Sequence, residues 1–285
     1  MKGSVALIPL FLVGFTAVHA AKMIRLYLVL MERRIPFWRF VLLYLKTTFV
    51  NLVIPFKLGE VFRIYCISRE SGKFQTGVLS VVVDRFFDTA VLLLFLLPVQ
   101  VFLTRRISGV ALVLLAVLLL LMILYVTFQS VYTYLNRYII LNKNSNRSLA
   151  FLKGLEFARG WYEDVRELIT GRSPLIFSFS CLGWMLELGV LKLLSKIIGE
   201  YFGIMSFNDY IETIFRAGNS HLLQVYTWVG AVLLGIAALF GTILYLCLQP
   251  KACRMKNGHG YLRRSRNGDE NEAGYRSLRR QKETE

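Results

Sequence analysis

Acidic and basic residues form two short groups in the first third of the chain. Glu60 and Arg63 are three positions apart, and Asp84, Arg85 and Asp88 form a second group at helical spacing. In a helix, residues three or four positions apart lie on one face, so each group can form ion pairs or converge on one ligand. Arginine is suited to bidentate phosphate binding, and a carboxylate can hold an arginine, bind a cationic group or act as a base.

Other kinds of catalytic or metal site find little support in the sequence. The four cysteines have no CxxC spacing, which is against a disulfide framework and against a zinc site. The histidines, His19, His221 and His259, are far apart in the sequence, which is against a His-centred metal site or triad. We therefore predict no catalytic residues, no metal and no cofactor.

The elements that must position these charges are apolar helices. The chain has 285 residues, of which 55% are hydrophobic and 18% are charged, and its net charge is +16. Soluble domains are typically about 45–50% apolar and about 25% charged. The excess of apolar residues lies in long runs, and about 20 such residues cross a bilayer as a helix. The sequence predicts an all-α polytopic membrane protein and disfavours a soluble enzyme.

The predicted membrane domain covers residues 1–250. Its five predicted spans are the segments 3–21, 77–103, 107–128, 174–194 and 222–248. The first segment has an alternative interpretation as a signal peptide, because Lys2 precedes an apolar run that ends in small residues near Ala20. Met23–Met31 remains mostly apolar, however, and can extend a retained first helix.

A sixth apolar segment, 40–56, is predicted to be a re-entrant hairpin. If it enters and leaves on one side, most lysines and arginines outside the spans lie in the cytoplasm, as the positive-inside rule requires. The predicted re-entrant turn involves Asn51, Pro55 and Gly59, because proline lacks an amide hydrogen and glycine turns freely.

Two segments are predicted to lie on the cytoplasmic side. Residues 148–170 are expected to form an amphipathic helix, either at the headgroup level or packed on the bundle. Its apolar positions are Phe151, Leu155, Ala158, Tyr162, Val165 and Ile169. Residues 251–285 are expected to be a disordered basic tail that binds anionic headgroups or only aids solubility.

Ionisable groups at membrane depth require an explanation. Each costs about 2.5–3.5 kcal/mol at a helix centre, so several of them cannot face lipid. Two interpretations remain, ion pairs that fix helix packing and a polar groove that admits a lipid headgroup. Snorkelling toward an interface explains Lys46 and Lys192. The candidate residues of the headgroup groove are Glu60, Arg63, Asp84, Arg85, Asp88 and Glu187.

The order of these residues resembles a known membrane region. The positions that match are Asn51, Pro55, Gly59, Glu60, Arg63, Asp84, Arg85 and Asp88. Together they resemble the membrane region of lysylphosphatidylglycerol synthases and of the wider flippase-like family of integral membrane proteins. Trp184 and Glu187 are similar to the family's Trp-x-x-Glu segment, and the resemblance covers roughly residues 20–250. Around Arg216 the sequence departs from the family's usual Gly-x-x-Glu segment, and a single span follows.

The resemblance implies a role in lipid handling. In the bifunctional members this region moves aminoacylated phosphatidylglycerol to the outer leaflet, and a separate soluble domain makes that lipid. Too few residues follow Lys251 for such a domain, so aminoacyl transfer is not expected, and enzyme activity is disfavoured. The first hypothesis is therefore a flippase-like protein that translocates a phospholipid or lipid-linked substrate between the leaflets of the cytoplasmic (inner) membrane.

Two other functions remain open. The chain can be an accessory subunit of envelope lipid or glycan assembly, or a lipid-linked transferase with Asp84 or Asp88 as base. A homo-oligomer or another membrane protein is a further open partner. Nucleic acid is not expected, because the positive-inside bias explains the basic excess.

Overall fold

A computed structural model describes residues 6–33, 35–54, 58–142, 146–203, 206 and 220–248. All regular secondary structure in these residues is helical, which confirms the predicted all-α class. The helices are α1 (Leu7–Leu30, continued by a 3-10 turn, Met31–Arg33), α2 (Phe37–Val53), α3 (Leu58–Ser71), α4 (Phe74–Pro98, continued by a π-helical segment, Val99–Thr104), α5 (Gly109–Asn142), α6 (Asn146–Ile169), α7 (Ser173–Ile198) and α8 (His221–Leu248).

Five of the described helices are long and apolar enough to cross a membrane, which confirms a multi-pass membrane protein. They are Leu7–Arg33, Phe74–Leu103, Gly109–Leu141, Ser173–Ile198 and His221–Cys247. The first helix continues well past residue 21, the end of the predicted span 3–21, and includes most of Met23–Met31, the stretch that was expected to be able to extend it. The prediction stopped at the charged positions Lys22 and Arg25, whereas in the structure both side chains have partners inside the bundle.

Helix ends follow local backbone chemistry. Ile54 is extended at the end of α2, as expected for a residue that precedes a proline. Pro174 lies in the first turn of α7, where a missing amide hydrogen costs nothing. Gly72 and Gly171 have φ values of +73° and +75° and make the short turns before α4 and α7. Only glycine adopts this left-handed conformation without strain.

The core of the bundle lies between α1, α4, α7 and α8. It contains buried side chains from each of these helices, among them Phe15, Leu92, Leu191 and Leu234. Helices α1 and α7 approach closely at Gly14, where an added Cβ would lie 2.8 Å from a methyl carbon of Val190. Small residues at such crossings are typical of membrane bundles, which depend on close packing rather than on hydrophobic burial.

Helices α2 and α3 pack against each other and are separated by a break after Val53. The predicted turn residue Pro55 lies outside the described residues. Entry and exit of this helix pair on one membrane side stay a prediction.

Helix α6 packs on the bundle through its C-terminal half. Leu168 is buried, and Trp161, Val165 and Ile169 contact the same cluster as Val29 and Ile176. Phe151, on the predicted apolar face, is 54% exposed, whereas Leu155 of the same face is half-buried. The cytoplasmic position of α6 stays a prediction, and the predicted tail, 251–285, lies outside the described residues.

The chain divides after Ala238 into two compact units. The first contains all the helices up to that residue, including the larger part of α8. The described residues of the second, 239–248, are the apolar end of α8.

Candidate functional site

Charged side chains from four helices meet inside the first unit. We call this set the charge cluster, and it contains four basic and four acidic residues joined by ion pairs. Its members are Lys22 and Arg25 of α1, Glu60 and Arg63 of α3, Asp84, Arg85 and Asp88 of α4, and Glu187 of α7. Asp88 and Glu187 lie near the midpoints of their spans. The cluster therefore places formal charges at a depth where lipid alone would not tolerate them.

Arg25 is the centre of the charge cluster. Its Nη2 lies 2.7 Å from Asp84 Oδ1, and its Nη1 lies 2.7 Å from Asp88 Oδ1. Nη1 also donates to Ser180 Oγ at 3.2 Å. The indole nitrogen of Trp184 donates to the same Asp88 oxygen at 3.0 Å. Arg25 thus links α1, α4 and α7 through charge-assisted hydrogen bonds.

Arg63 is buried but incompletely paired. Its Nη1 lies 3.4 Å from Asp84 Oδ2, a long distance for an ion pair between buried groups. Its Nε is buried and has no hydrogen-bond partner. A buried N–H donor without a partner costs free energy, so Arg63 has donors available for a further acceptor.

Two further ion pairs lie at the margin of the charge cluster. Arg85 Nη2 is 2.6 Å from Glu60 Oε1, and Arg85 Nη1 is 3.7 Å from Asp88 Oδ2. Lys22 Nζ is 2.5 Å from Glu187 Oε2. These pairs are more exposed than Arg25, so their basic groups are easier for a ligand to reach.

A cavity of about 160 Å³ opens beside the charge cluster. Seven of the eight cluster residues line it, the exception being Glu60. His19 of α1 and side chains of α2 and α8 complete the wall. Their lining side chains include Tyr44, Thr48, Asn51 and Tyr226. His19 Nδ1 lies 3.2 Å from Tyr44 Oη, so the uncharged part of the wall has polar groups beside the apolar side chains of Phe15, Leu26 and Leu52.

Helical spacing and close backbone contacts position these groups. Asp84 and Asp88 are one turn apart on α4, and Lys22 and Arg25 share a face of α1. Gly59 brings α3 against α2, because a Cβ at this position would lie 2.7 Å from Asn51 Oδ1. This close approach, which only glycine allows, holds Glu60 and Arg63 near α4.

Most of the residues predicted for the headgroup groove come together in the structure. Arg63, Asp84, Arg85, Asp88 and Glu187 line the cavity, and Glu60 contacts it through Arg85. Of the predicted turn residues, Asn51 lines the cavity and Gly59 contacts Asn51, while Pro55 is not described. Lys46 and Lys192 are exposed and are not part of the charge cluster.

Sequence reasoning missed the contributions of α1. Lys22, Arg25 and His19 were not among the candidate site residues, although all three line the cavity. The available signal was the i,i+3 spacing of Lys22 and Arg25 within a run that stays apolar up to Met31.

The family model of the lysylphosphatidylglycerol synthase TM region matches residues 3–205. The chain belongs to this family. No curated protein and no solved structure matches it. The matched range includes α1 to α7 and every residue of the charge cluster, whereas α8 lies beyond it. Membership supports an integral membrane protein of lipid-related processes.

The charge cluster offers groups that can bind an anion. In the described residues, no group of three His, Cys, Asp or Glu side chains is placed to hold a metal ion. The charge cluster instead offers guanidinium donors next to a polar cavity inside a membrane bundle. Such donors match phosphate oxygens in geometry and charge.

Proposed function

We propose that this protein is a flippase-like membrane protein that binds the polar headgroup of a phospholipid or lipid-linked substrate in the cavity and moves it between leaflets. The observation that carries the proposal is Arg63, which is buried beside the cavity and retains an unpartnered Nε. In a membrane bundle such a donor is satisfied only by protein, water or a ligand. The phosphate of a lipid is the ligand available at that depth.

The volume of the cavity supports a mechanism in which the headgroup enters it and the acyl chains do not. Pockets that hold a drug-sized ligand are about 300–1,000 Å³ in volume. The cavity, at about 160 Å³, is large enough for a phosphate and a small substituent but not for acyl chains. In the proposed mechanism the headgroup enters the cavity while the acyl chains stay in lipid.

The basic residues have successive roles in this mechanism. Arg85, the most exposed member of the charge cluster, makes the first contact with the phosphate. Arg63 then supplies the deeper contact. Glu60, Asp84, Asp88 and Glu187 orient the basic groups and neutralise them when the cavity is empty.

The surrounding helices fit a transporter. We propose that α2 and α3 form a re-entrant hairpin with its break at membrane depth, because discontinuous helices at mid-depth are typical of transporter sites. We place the protein in the cytoplasmic membrane with α6 on the cytoplasmic side, as the distribution of lysines and arginines favours.

Leaflet transfer in reconstituted vesicles tests the proposal. The purified protein is incorporated into phospholipid vesicles with a fluorescent lipid, and an impermeant quencher reports lipid that has reached the outer leaflet. We expect Arg85→Ala and Glu60→Ala to abolish transfer without loss of folding, because each removes one partner of the 2.6 Å pair beside the cavity. Unchanged transfer in both variants would refute the role of the cavity.

Arg159→Ala is the matched control. Arg159 also pairs with a carboxylate, Glu163, at 2.7 Å, but both side chains are exposed on α6. Transfer by this variant is expected to equal that of the wild type. Covalent change of the labelled lipid would point to a transferase instead, and a requirement for a co-purified membrane protein would point to an accessory subunit.

A further inference from the structure

Helix α8 forms part of the cavity wall without contributing a charge. Tyr226 and Gly230 line the cavity, and both are buried. The sequence of α8 contains no Asp, Glu, Lys or Arg, so beyond its first residue, His221, it has no group that can join the charge cluster by an ion pair. The helix also lies beyond the residues that the family model matches, 3–205, so its part in the wall does not follow from family membership.

The contact between α8 and its neighbours is close and apolar. A Cβ at Gly230 would lie 3.3 Å from Phe15 Cε2 of α1 and 3.6 Å from Leu52 Cδ1 of α2. Further along α8, a Cβ at Gly235 would lie 3.0 Å from Phe49 Cε2 of α2. We call the contact of Phe49 and Leu52 with the two glycines the α2–α8 seam. It begins at the cavity, because Leu52 and Gly230 also line the cavity.

Stronger contacts hold the other helices of the wall together. Arg25 joins α1 to α4 and α7, and Arg85 joins α4 to α3 through Glu60. Helix α2 is held to α3 by the close approach of Asn51 and Gly59. Separating buried ion partners leaves uncompensated charges, which costs much free energy. Apolar contacts between helices differ, since lipid tails can replace them at little cost. The contacts of α8 are therefore the part of the wall that opens most easily.

The α2 side of α8 lies nearer to lipid than the α1 side. Phe15 of α1 is only 5% exposed, whereas Leu52 of α2 is half-buried. The next residue of α2, Val53, is 54% exposed, and Val232 of α8 is 58% exposed. An opening between α2 and α8 therefore leads from the cavity to apolar residues that face the hydrocarbon.

We infer that the cavity opens toward lipid along the α2–α8 seam, and that an acyl chain of the bound lipid occupies this seam while the headgroup is in the cavity. The inference rests on the proposed function and identifies where the tail of its substrate lies. A cavity of about 160 Å³ holds a headgroup but no acyl chain, so the tail needs an apolar exit that is continuous with the cavity. Phe49 and Leu52 give it the apolar surroundings that it has in the bilayer.

A reversible cross-link across the seam tests the inference. The four natural cysteines are replaced by alanine, and Leu52→Cys and Gly230→Cys are introduced together. A bifunctional methanethiosulfonate reagent joins the two thiols, and mass spectrometry measures the yield of the link. Transfer of tail-labelled phosphatidylglycerol in phosphatidylcholine vesicles should fall by about tenfold or more on linking, because the linked helices cannot separate. It should recover when the link is reduced.

The double variant Gly14→Cys with Val190→Cys is the matched control. These two residues meet where α1 crosses α7, and neither lines the cavity. A link there joins helices that the charge cluster already holds together, so transfer should be the same before and after linking. Each variant is compared with its own reduced form, which cancels the effect of the substitutions themselves. Full transfer after complete linking of the seam would overturn the inference and leave the proposed function intact, whereas no transfer by the wild type would overturn both.

Photolabelling of the wild type decides the inference without introduced cysteines. Phosphatidylglycerol with a diazirine in one acyl chain is irradiated in the same vesicles, and mass spectrometry locates the label. We expect label at Phe49, Leu52 and Gly230, with a several-fold lower yield in Arg63→Ala, which lacks a headgroup contact. Label at Leu124, an exposed residue of α5, reports the surrounding lipid and should be equal in both proteins. An unlabelled seam in the wild type, or equal labelling of the seam in both proteins, would overturn the inference.

Discussion

Two consecutive spanning helices, α4 and α5, differ in how apolar they are and in how much of each is buried. Within the α4 span, Phe74–Leu103, the most apolar 18 residues have a mean hydropathy of 2.2, and 33% of them are buried. Within the α5 span, Gly109–Leu141, the most apolar 18 residues have a mean hydropathy of 3.1, and only 6% of them are buried. The α4 span contains Asp84, Arg85 and Asp88, whereas Arg137, near the end of the α5 span, is the only charged residue there. In this bundle the less apolar helix lies inside, because its neighbours supply partners for its charges, and the more apolar helix contacts lipid.

The variant with the largest expected effect removes Arg25, the basic partner of the carboxylates on α4. We expect Arg25→Leu to destabilise the protein by about 3–5 kcal/mol, because it leaves the buried carboxylate of Asp84 and the half-buried carboxylate of Asp88 without their shortest ion pairs. The measurement is thermal or denaturant unfolding in detergent. The control is Arg137→Leu, which removes an exposed arginine from α5 and should change stability little. Equal effects of the two changes would mean that the charge cluster does not stabilise the bundle.

A truncation of one leucine on each helix tests packing alone. Leu92 of α4 is buried in the core, and Leu124 of α5 is exposed. We expect Leu92→Ala to lower the free energy of unfolding by about 2–3 kcal/mol. This is the lower half of the usual range, because in a membrane the substitution removes packing contacts but changes the free energy of transfer from water little. Leu124→Ala should have almost no effect on the unfolding midpoint. A larger effect at Leu124 would indicate that another surface covers α5.

The smallest effect is expected from a single methyl group at a helix crossing. At Gly77 of α4 an added Cβ would clash with Ser68 Oγ and would lie 2.6 Å from the carbonyl oxygen of Ile64. We expect Gly77→Ala to destabilise the protein by about 1–2 kcal/mol, since the hydroxyl can rotate but the backbone of α3 must shift. Gly109→Ala on α5 meets no atom within 4 Å and should be neutral or slightly stabilising. The same unfolding assay compares the two variants, and a neutral Gly77→Ala would show that α3 and α4 can separate freely.

Sequence reasoning predicted the helical class from the long apolar runs, and it predicted inward-facing charges from the cost of charge in lipid. That cost alone identifies Asp84, Asp88 and Glu187 as groups that face inward. It does not identify their partners, because the pairs Arg25–Asp88 and Lys22–Glu187 join residues on different helices that are distant in sequence. Arg25 lies outside the predicted span 3–21, so it was not counted among the charges at membrane depth.

The contact between Tyr44 and His19 was out of reach of sequence reasoning for a related reason. Neither residue has a charge that must be explained, and their 3.2 Å contact depends on how α2 crosses α1. Phe151 illustrates the converse, since its spacing fits the apolar face of α6 although its side chain is 54% exposed. Periodicity indicates a face, whereas only the tertiary packing decides how far along the helix that face is covered.

The links that Arg25 and Lys22 make to later helices have a consequence for biogenesis. The ribosome produces α1 first, so both basic groups reach the membrane before their acidic partners on α4 and α7 have been translated. Until then the C-terminal turns of α1 are held near the water interface by the hydration of these two side chains. The nascent bundle can therefore close in two stages, first when Asp84 and Asp88 arrive and finally when Glu187 neutralises the lysine.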